Sequence, residues 1–340
     1  MNNIALNIAK VFIYAVCIVL ALLSIMPFAV MFANATRSTP EIRRNAFTVL
    51  PGGYLLDNYR HMMGFVYTFV DEDGNRSDVA VPSDVRRYDA AGVAMYDADG
   101  NPMFYPLRGY IRMGGRAFNP WLGFRNSLII SLATMILAIY FSSLTAYANV
   151  AYDWKFKNIL FAFIMFVLMI PVQLNIIGYF QFLHQIANWT NETLPITVSV
   201  NSFWPLILPA IASPGIVFFM RQYLLGSLSM EIVESARIDG AGEFRTFNTI
   251  VLPLMKPALA TQAIFVFVGS WNNLLLPMII LRGDNRTMPV MVQLLQGDIY
   301  DTVLGAQYLG LAMTVLPLFI VYFILSKYII SGVALGGMKE

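Results

Sequence analysis

Cysteine is all but missing from this 340-residue chain: the single Cys17 lies inside a hydrophobic run, which excludes an intrachain disulfide and a cysteine metal site. Charge is scarce too. Asp, Glu, Lys and Arg make up 12% of the residues, about half the ~25% usual in soluble domains. Hydrophobic residues make up 58% and the mean hydropathy is +0.63, which points to a membrane protein. A formal net charge of +2 is too small to call for a nucleic-acid partner. The two histidines, His61 and His184, have no metal-ligand spacing, so no metal site is expected. No G-x-x-x-x-G-K-[ST], H-E-x-x-H or G-x-S-x-G run occurs, so no catalytic residue is expected and the chain carries no phosphate loop of its own.

What is abundant is long apolar runs. Six spans are expected near 11–33, 126–149, 159–182, 205–225, 258–281 and 308–330, each meeting the ~20 residues needed to cross the hydrocarbon core. The first is too long for a signal peptide and lacks a convincing cleavage site near Phe32-Ala33-Asn34-Ala35, so it is read as a retained span. All six lysines (Lys10, Lys155, Lys157, Lys256, Lys327, Lys339) fall in the two ends, the 150–158 loop or the 226–257 loop. With six spans these regions share one side, which the positive-inside rule makes cytoplasmic, both termini included. The loop 183–204 on the other side has no Lys or Arg. Within the spans the only Asp, Glu, Lys, Arg or His are Arg221 and Lys327, near ends. Carriers coupled to ions or protons usually place such groups in the bundle, so an external energy source is expected.

Several spans carry polar or breaking residues. The third ends at Pro171 with Gln173 and Asn175 beside it, and the fourth holds Pro205, Pro209 and Pro214, so it is expected to bend. The fifth holds Trp271-Asn272-Asn273. Two adjacent amides cannot both face lipid. They either line a polar substrate path or make interhelical hydrogen bonds of about 0.6–2 kcal/mol each.

Residues 34–125 form a long outer segment, with ten Asp/Glu, ten Arg and no Lys between 34 and 120. Asp71-Glu72-Asp73-Gly74-Asn75 and Asp97-Ala98-Asp99-Gly100-Asn101 are each flanked by strand-like residues, 65–70 with 79–81 and 93–96 with 103–105. Asp-Gly between such runs predicts two hairpins in a small β-rich lobe. A calcium loop is disfavoured: the sixth position is Arg76 or Pro102 where Gly is needed, and the twelfth is Pro82 or Arg108 where Glu is needed.

The stretch 229–257 is charged and Gly-punctuated, set between two apolar runs. It carries four acids, Glu231, Glu234, Asp239 and Glu243, and three bases, Arg237, Arg245 and Lys256. Two short helices joined at Gly240-Ala241-Gly242 are expected. Val233 and Ala236 share one face of the first, and Phe244, Phe247 and Val251 recur along the second, which Pro253 and Pro257 end. An apolar base under a charged top at a membrane face is a docking surface.

Glu234-Ser235-Ala236, Gly240 and Ile250-Val251-Leu252-Pro253 keep the spacing of the EAA loop of ABC importer permeases, with Ser235 for the first Ala. Further runs resemble permeases of the maltose/oligosaccharide importer type: Leu56-Asp57-Asn58-Tyr59, Asn126-Ser127-Leu128-Ile129, Met220-Arg221-Gln222-Tyr223, Trp271-Asn272-Asn273, Arg286-Thr287-Met288-Pro289-Val290 and the Gly-rich end from Gly332. The resemblance covers 1–64 and about 120–340, leaving 65–118 as an insertion. It implies an all-α membrane protein with six transmembrane helices of type I importer architecture and a small β-rich extracytoplasmic insertion. The organisation it implies is a first span at 1–33, an extracytoplasmic segment at 34–125, a core at 126–330 with a coupling loop at 229–257, and a tail at 331–340.

The resemblance further implies a non-enzymatic transport subunit in a bacterial or archaeal cell membrane. Its partners would be a second permease, two ATPase subunits that hold ATP and Mg, and an extracytoplasmic solute-binding protein, with a sugar as substrate and no cofactor on this chain. Glu234, Ser235, Ala236, Asp239, Gly240, Ile250 and Pro253 would contact the ATPase; Gln173, Asn175, Trp271, Asn272 and Asn273 are candidates for the substrate pathway. Open alternatives are a permease for another solute such as a glycerol phosphate, an ATP-independent carrier or channel, and a membrane-anchored signalling protein working through its outer lobe.

Overall fold

The computed structural model describes residues 3–63, 65–70, 76–79, 107–112, 119–170, 176–194, 197–295 and 303–336. They fall into two compact units, Met1–Pro120 with Met291–Leu316 and Trp121–Val290 with Pro317–Glu340.

The first unit opens with helix α1 (Asn3–Asn34), which carries no charge after Lys10. Ser38 stops the turn that follows and starts α2 (Thr39–Arg44): its hydroxyl accepts from Glu41 N, and the Glu41 carboxylate accepts from Ser38 N at 3.0 Å. This reciprocal cap satisfies two helix-end donors at once. Arg37 ties the corner, donating to Asn34 Oδ1 (3.0 Å), Asn45 O (2.6 Å) and Glu41 O (2.9 Å). Helix α3 (Leu55–Met62) follows, and its Asn58 is fully buried, donating to the carbonyls of Ala35 and Arg37 at 3.0 and 2.9 Å. Thr39 Oγ1 accepts from Leu304 N, which brings in the start of α15 (Leu304–Gly336). There Gly305 lies against Asn58 and the Arg37 carbonyl so closely that a Cβ would collide with both.

Three strands follow α3: β1 (Phe65–Val70), β2 (Arg76–Val79) and β3 (Leu107–Arg112). They pair antiparallel in the order β2-β1-β3, with Val70 opposite Arg76 and Phe65 opposite Arg112. The second hairpin expected around Asp97–Asn101 lies outside the described residues.

The second unit starts with α4 (Pro120–Ala151), then α5 (Lys157–Leu168) and α6 (Ile176–Thr193). The single third span expected over 159–182 is not one helix. Helix α5 stops after 12 residues, about 18 Å of rise. The proline at 171 in the sequence accounts for this: a proline ring would clash with the carbonyl four residues back in a continued helix, and it disfavours helix at the residue before it, Ile170. The first half of the loop expected over 183–204 belongs to the helix α6, whose Leu183, Ala187 and Thr190 are buried.

The fourth span is broken by its prolines as expected. Helix α7 (Trp204–Ile207) passes into a 3₁₀ turn (Leu208–Ile211) before α8 (Pro214–Ser227). After α9 (Met230–Ile238), α10 (Glu243–Thr246), a π-helical turn (Phe247–Val251) and α11 (Leu252–Leu254), the fifth span is α12 (Lys256–Trp271) and α13 (Leu275–Ile280). Pro253 and Pro257 start α11 and α12 where they were expected to end a helix. A proline's missing N–H is harmless in a first turn. Helix α14 (Met288–Leu294) completes the order.

Among the described residues, five helices are long and apolar enough to cross a membrane: Lys10–Asn34, Pro120–Ala151, Trp204–Ser227, Lys256–Ile280 and Leu304–Ile324. A core of Tyr147, Met220, Leu224, Val233, Phe247, Val251 and Met255 joins α4, α8, α9, the π-helical turn and the residue before α12.

Candidate functional site

The two short helices of 229–257 form a hairpin whose tip is set by one backbone conformation. Asp239 caps α9, and Gly240 takes φ +75°. Gly240 N donates to Arg237 O (3.0 Å) and Ala241 N to Ala236 O (2.9 Å). These two crossed bonds close the last turn in a Schellman motif, which needs a left-handed residue where Gly240 stands. No atom lies within 4 Å of where a Gly240 Cβ would be, so the tip is open on that side. Gly242 N-caps α10.

The hairpin is amphipathic. Val233, Ala236, Phe247 and Val251 are buried, while Glu231, Glu234, Ser235, Arg237 and Asp239 are exposed. Phe244, expected on the buried face, is 66% exposed, and Ile238 is 86% exposed. The π-helical turn shifts the register after Thr246 and turns Phe247 inward, so Phe244 projects from the tip. The tip therefore presents two large apolar side chains among charges.

Of the ATPase-contact candidates, Glu234, Ser235, Asp239 and Gly240 share the exposed side of α9 and its cap. Pro253 is exposed on α11 and Ile250 is half-buried. Ala236 packs into the base beside Val233. Its small side chain serves the hairpin's own seat, not an outward contact.

Beneath the tip lies a polar cluster that no sequence signal announces. Glu243 Oε1 accepts from Arg237 Nε (2.8 Å), and its Oε2 accepts from the hydroxyl of Tyr147 (3.2 Å), on the last turn of α4. The Arg237 guanidinium sits 5.4 Å over the Tyr152 ring. The Tyr152 hydroxyl, with help from Arg237 and Tyr147, holds the Glu243 carboxyl below the usual carboxylate range. Burial, then Glu243, pushes the Tyr152 hydroxyl up to about 12. Arg237 and Glu243 are six residues apart across a glycine turn, and neither periodicity nor motif spacing joins them. A second tie holds α8: Arg221 Nε donates to Asn149 Oδ1 (2.6 Å), Asn149 Nδ2 donates to Lys157 O (3.0 Å), and Arg221 lies 4.1 Å over the Phe161 ring.

The pathway candidates separate. Gln173 and Asn175 lie outside the described residues. Trp271 is buried, stacked on Phe267 (5.6 Å, 19°) and edge-on to Phe124 (5.6 Å, 78°). Asn272 and Asn273 are exposed in the break between α12 and α13. Irregular backbone inside a span is tolerated only where protein or a wet cavity meets it.

Two of the quoted motifs meet across the fold. Asn126 Nδ2 donates to the carbonyls of Asp284 and Arg286 (2.6 and 3.0 Å), and Ser127 Oγ accepts from Met288 N (2.8 Å). The start of α4 thus clasps the Arg286-Thr287-Met288-Pro289 loop.

Residues 138–334 match the family model described as the binding-protein-dependent transport system inner membrane component. The chain is 36% identical over 243 residues to the arabinooligosaccharides transport system permease protein AraQ of Halalkalibacterium halodurans, covering 70% of this chain and 81% of the relative. It is 30% identical over 241 residues to the trehalose/maltose transport system permease protein MalG of Thermococcus litoralis, covering 68% and 81%. Its fold resembles a chain in the crystal structure of a bacterial ABC transporter involved in the import of the acidic polysaccharide alginate. That likeness has a TM-score of 0.64 at 16% identity and covers 96% of this chain and 99% of the other.

Proposed function

The chain belongs to the family of binding-protein-dependent transport system inner membrane components, and from that premise we propose that it is the membrane subunit of an ATP-driven importer of oligosaccharides. The carrying observation is the 229–257 hairpin: a rigid, locally capped element whose tip exposes Ile238 and Phe244 among charges while its base is buried in the span core. Large apolar side chains presented this way fit a cleft on a partner.

In this reading a pair of ATPase subunits, holding ATP and Mg, grips the tip. Glu234 and Asp239 supply charged contacts, and Ser235 leaves room for close approach. Gly240 makes the turn, while Ile250 and Pro253 shape the second arm. Closure of the ATPase pair moves the hairpin, and the cluster of Glu243, Arg237 and Tyr147 carries that motion into α4. The packing of Phe247 and Val251 on Met255 carries it into α12. Asn272 and Asn273 then face the solute where α12 and α13 part, as discontinuous helices do in other transporters; Gln173 and Asn175 lie on the same pathway. Trp271 supports that break from behind.

A second permease subunit completes the pathway, and an extracytoplasmic solute-binding protein delivers the sugar. The stretch 157–194 supplies a sixth membrane crossing, which puts both termini in the cytoplasm. The insertion at about 65–118 lies outside.

Purification of the complex from its native membrane in mild detergent, with mass spectrometry and uptake assays after reconstitution, tests this. The expected result is an ATPase and a second permease in a ratio of about two to one, and ATP-dependent uptake of an oligosaccharide. Recovery of this chain alone after crosslinking would overturn the importer reading. ATP-dependent uptake of a glycerol phosphate and of no sugar would overturn only the substrate.

A further inference from the structure

The residues just after α1 hold an apolar loop that the transport reading leaves without a role. From Asn45 to Leu56 the chain runs twelve residues with no charge. Within it Phe47 is 80% exposed and Leu50 72%, with Val49 exposed between them.

Both ends of this loop are fastened to the end of α1. At the entry, Asn34 Nδ2 donates to Ala46 O (2.8 Å) and Arg37 Nη1 to Asn45 O (2.6 Å). At the exit, Gly52 N donates to Thr36 Oγ1 (2.8 Å) and Tyr54 N to Thr36 O (2.8 Å). A Cβ on Gly52 would lie 2.7 Å from the Thr36 carbonyl, so only glycine permits this approach. Inside the loop, Phe47 N donates to Asn45 Oδ1 and Leu50 N to Thr48 Oγ1, both at 3.2 Å, which fixes two side-chain turns. The apolar side chains are therefore held out on a braced scaffold.

The depth of that scaffold follows from α1. Its span from Lys10 to Asn34 has 25 residues, none of them buried within the chain across the most apolar window. At 1.5 Å per residue it is ~37 Å long, against a hydrocarbon core of ~30 Å. Its last turn thus reaches the headgroup layer, and the loop fastened there lies at the boundary between acyl chains and headgroups. Arg44, exposed in the last turn of α2, precedes Phe47 by three residues. Exposed apolar side chains with a guanidinium close by in the chain match the mixed chemistry of that boundary.

We propose that Phe47, Val49 and Leu50 form a wedge seated in the lipid at the C-terminal end of α1, with Arg44 placed for a lipid phosphate. The wedge fixes the depth of α1 and, through Asn34, Arg37 and Asn58, of the knot that holds α2, α3 and the start of α15.

The test uses the whole transporter in a Cys17→Ala background. Phe47→Cys carries an environment-sensitive fluorophore, and the complex is reconstituted in phosphatidylcholine/phosphatidylglycerol vesicles with and without nitroxide-bearing lipids. The expected result is blue-shifted emission, loss of most intensity to headgroup and shallow acyl nitroxides, and no loss to iodide in the water. Quenching by iodide would overturn the proposal by placing the loop in water. Protection from both quenchers would overturn it by placing the loop under a second permease or a binding protein. Leu50→Cys repeats the measurement should Phe47→Cys fail to assemble.

Discussion

At the scale of single residues, the most demanding position is Gly240. Its φ of +75° is left-handed, and the crossed bonds from Gly240 and Ala241 to α9 depend on it. Any side chain with a Cβ costs roughly 1–2 kcal/mol in that region, least for Asn. Because open space surrounds the Cβ position, the penalty comes from the backbone and from whatever grips the tip, not from a clash within the chain. Gly240→Val should therefore leave the complex assembled but uncouple ATP hydrolysis from uptake, while Gly240→Asn keeps most of the coupling. Measuring both activities in the same proteoliposomes decides it, and normal transport by the valine variant would refute the role given to this turn.

Glu243 makes a second prediction at this scale. Its carboxyl is held below the usual range by Tyr152, Arg237 and Tyr147. A depressed carboxyl stabilises the hairpin above its unfolded value and loses that contribution as pH falls through the folded one. The hairpin should thus keep its closed cluster at neutral pH and loosen only in acid, below the ordinary carboxylate range. Tyr152, raised to about 12, works in the opposite sense: its contribution is complete below about 10 and fades as pH rises between the two values. Glu243→Gln should abolish the acid-dependent part of coupling. Arg237→Glu alone should impair uptake, and Arg237→Glu with Glu243→Arg should restore part of it. No restoration by the swapped pair would mean that the two side chains act separately.

At the scale of elements, the clasp between α4 and the loop before α14 invites a direct test. Asn126 is buried and satisfies the carbonyls of Asp284 and Arg286. Asn126→Ala leaves both without that donor, a cost of about 1–3 kcal/mol. The expected outcome is faster amide exchange at 283–288 and a lower thermal midpoint of the detergent-purified complex, with exchange in α9 unchanged. Elements were also where reading the sequence succeeded unevenly. Proline spacing revealed the break in the fourth span, because a missing donor acts locally. The third span looked continuous because apolar composition carries through Pro171 while the helix does not. The exposure of Phe244 was hidden for a related reason: helical spacing puts it in line with Phe247 and Val251, and a π-helical turn changes the register between them. Contacts between distant segments, such as Asn126 with Arg286 or Asn58 with Arg37, leave conserved-looking short runs but no spacing that pairs them.

At the scale of the whole molecule, the direction in which the chain enters and leaves the membrane depends on one short helix. Among the described residues five helices are long and apolar enough to cross, and five crossings would put the two ends on opposite sides. The lysines argue otherwise. Lys155 precedes α5, Lys157 opens it and Lys256 opens α12, and among the described residues between them only Trp204–Ser227 is long and apolar enough to span. Placing both lysine groups on the same side, as the positive-inside rule demands, requires another crossing within 157–194. Helix α5 covers about 18 Å of the ~30 Å core, so the proposed sixth crossing needs more of 157–194 than α5 alone. In the Cys17→Ala background, Phe156→Cys and Phe244→Cys should then react with a membrane-impermeant maleimide from one face only, and Trp189→Cys from the other. All three side chains are exposed in the chain. Should Phe156→Cys and Trp189→Cys instead react from the same face, α5 would be a re-entrant element. Lys157 and Lys256 would then lie on opposite sides, and the hairpin would keep its cytoplasmic place only if the first loop lay outside.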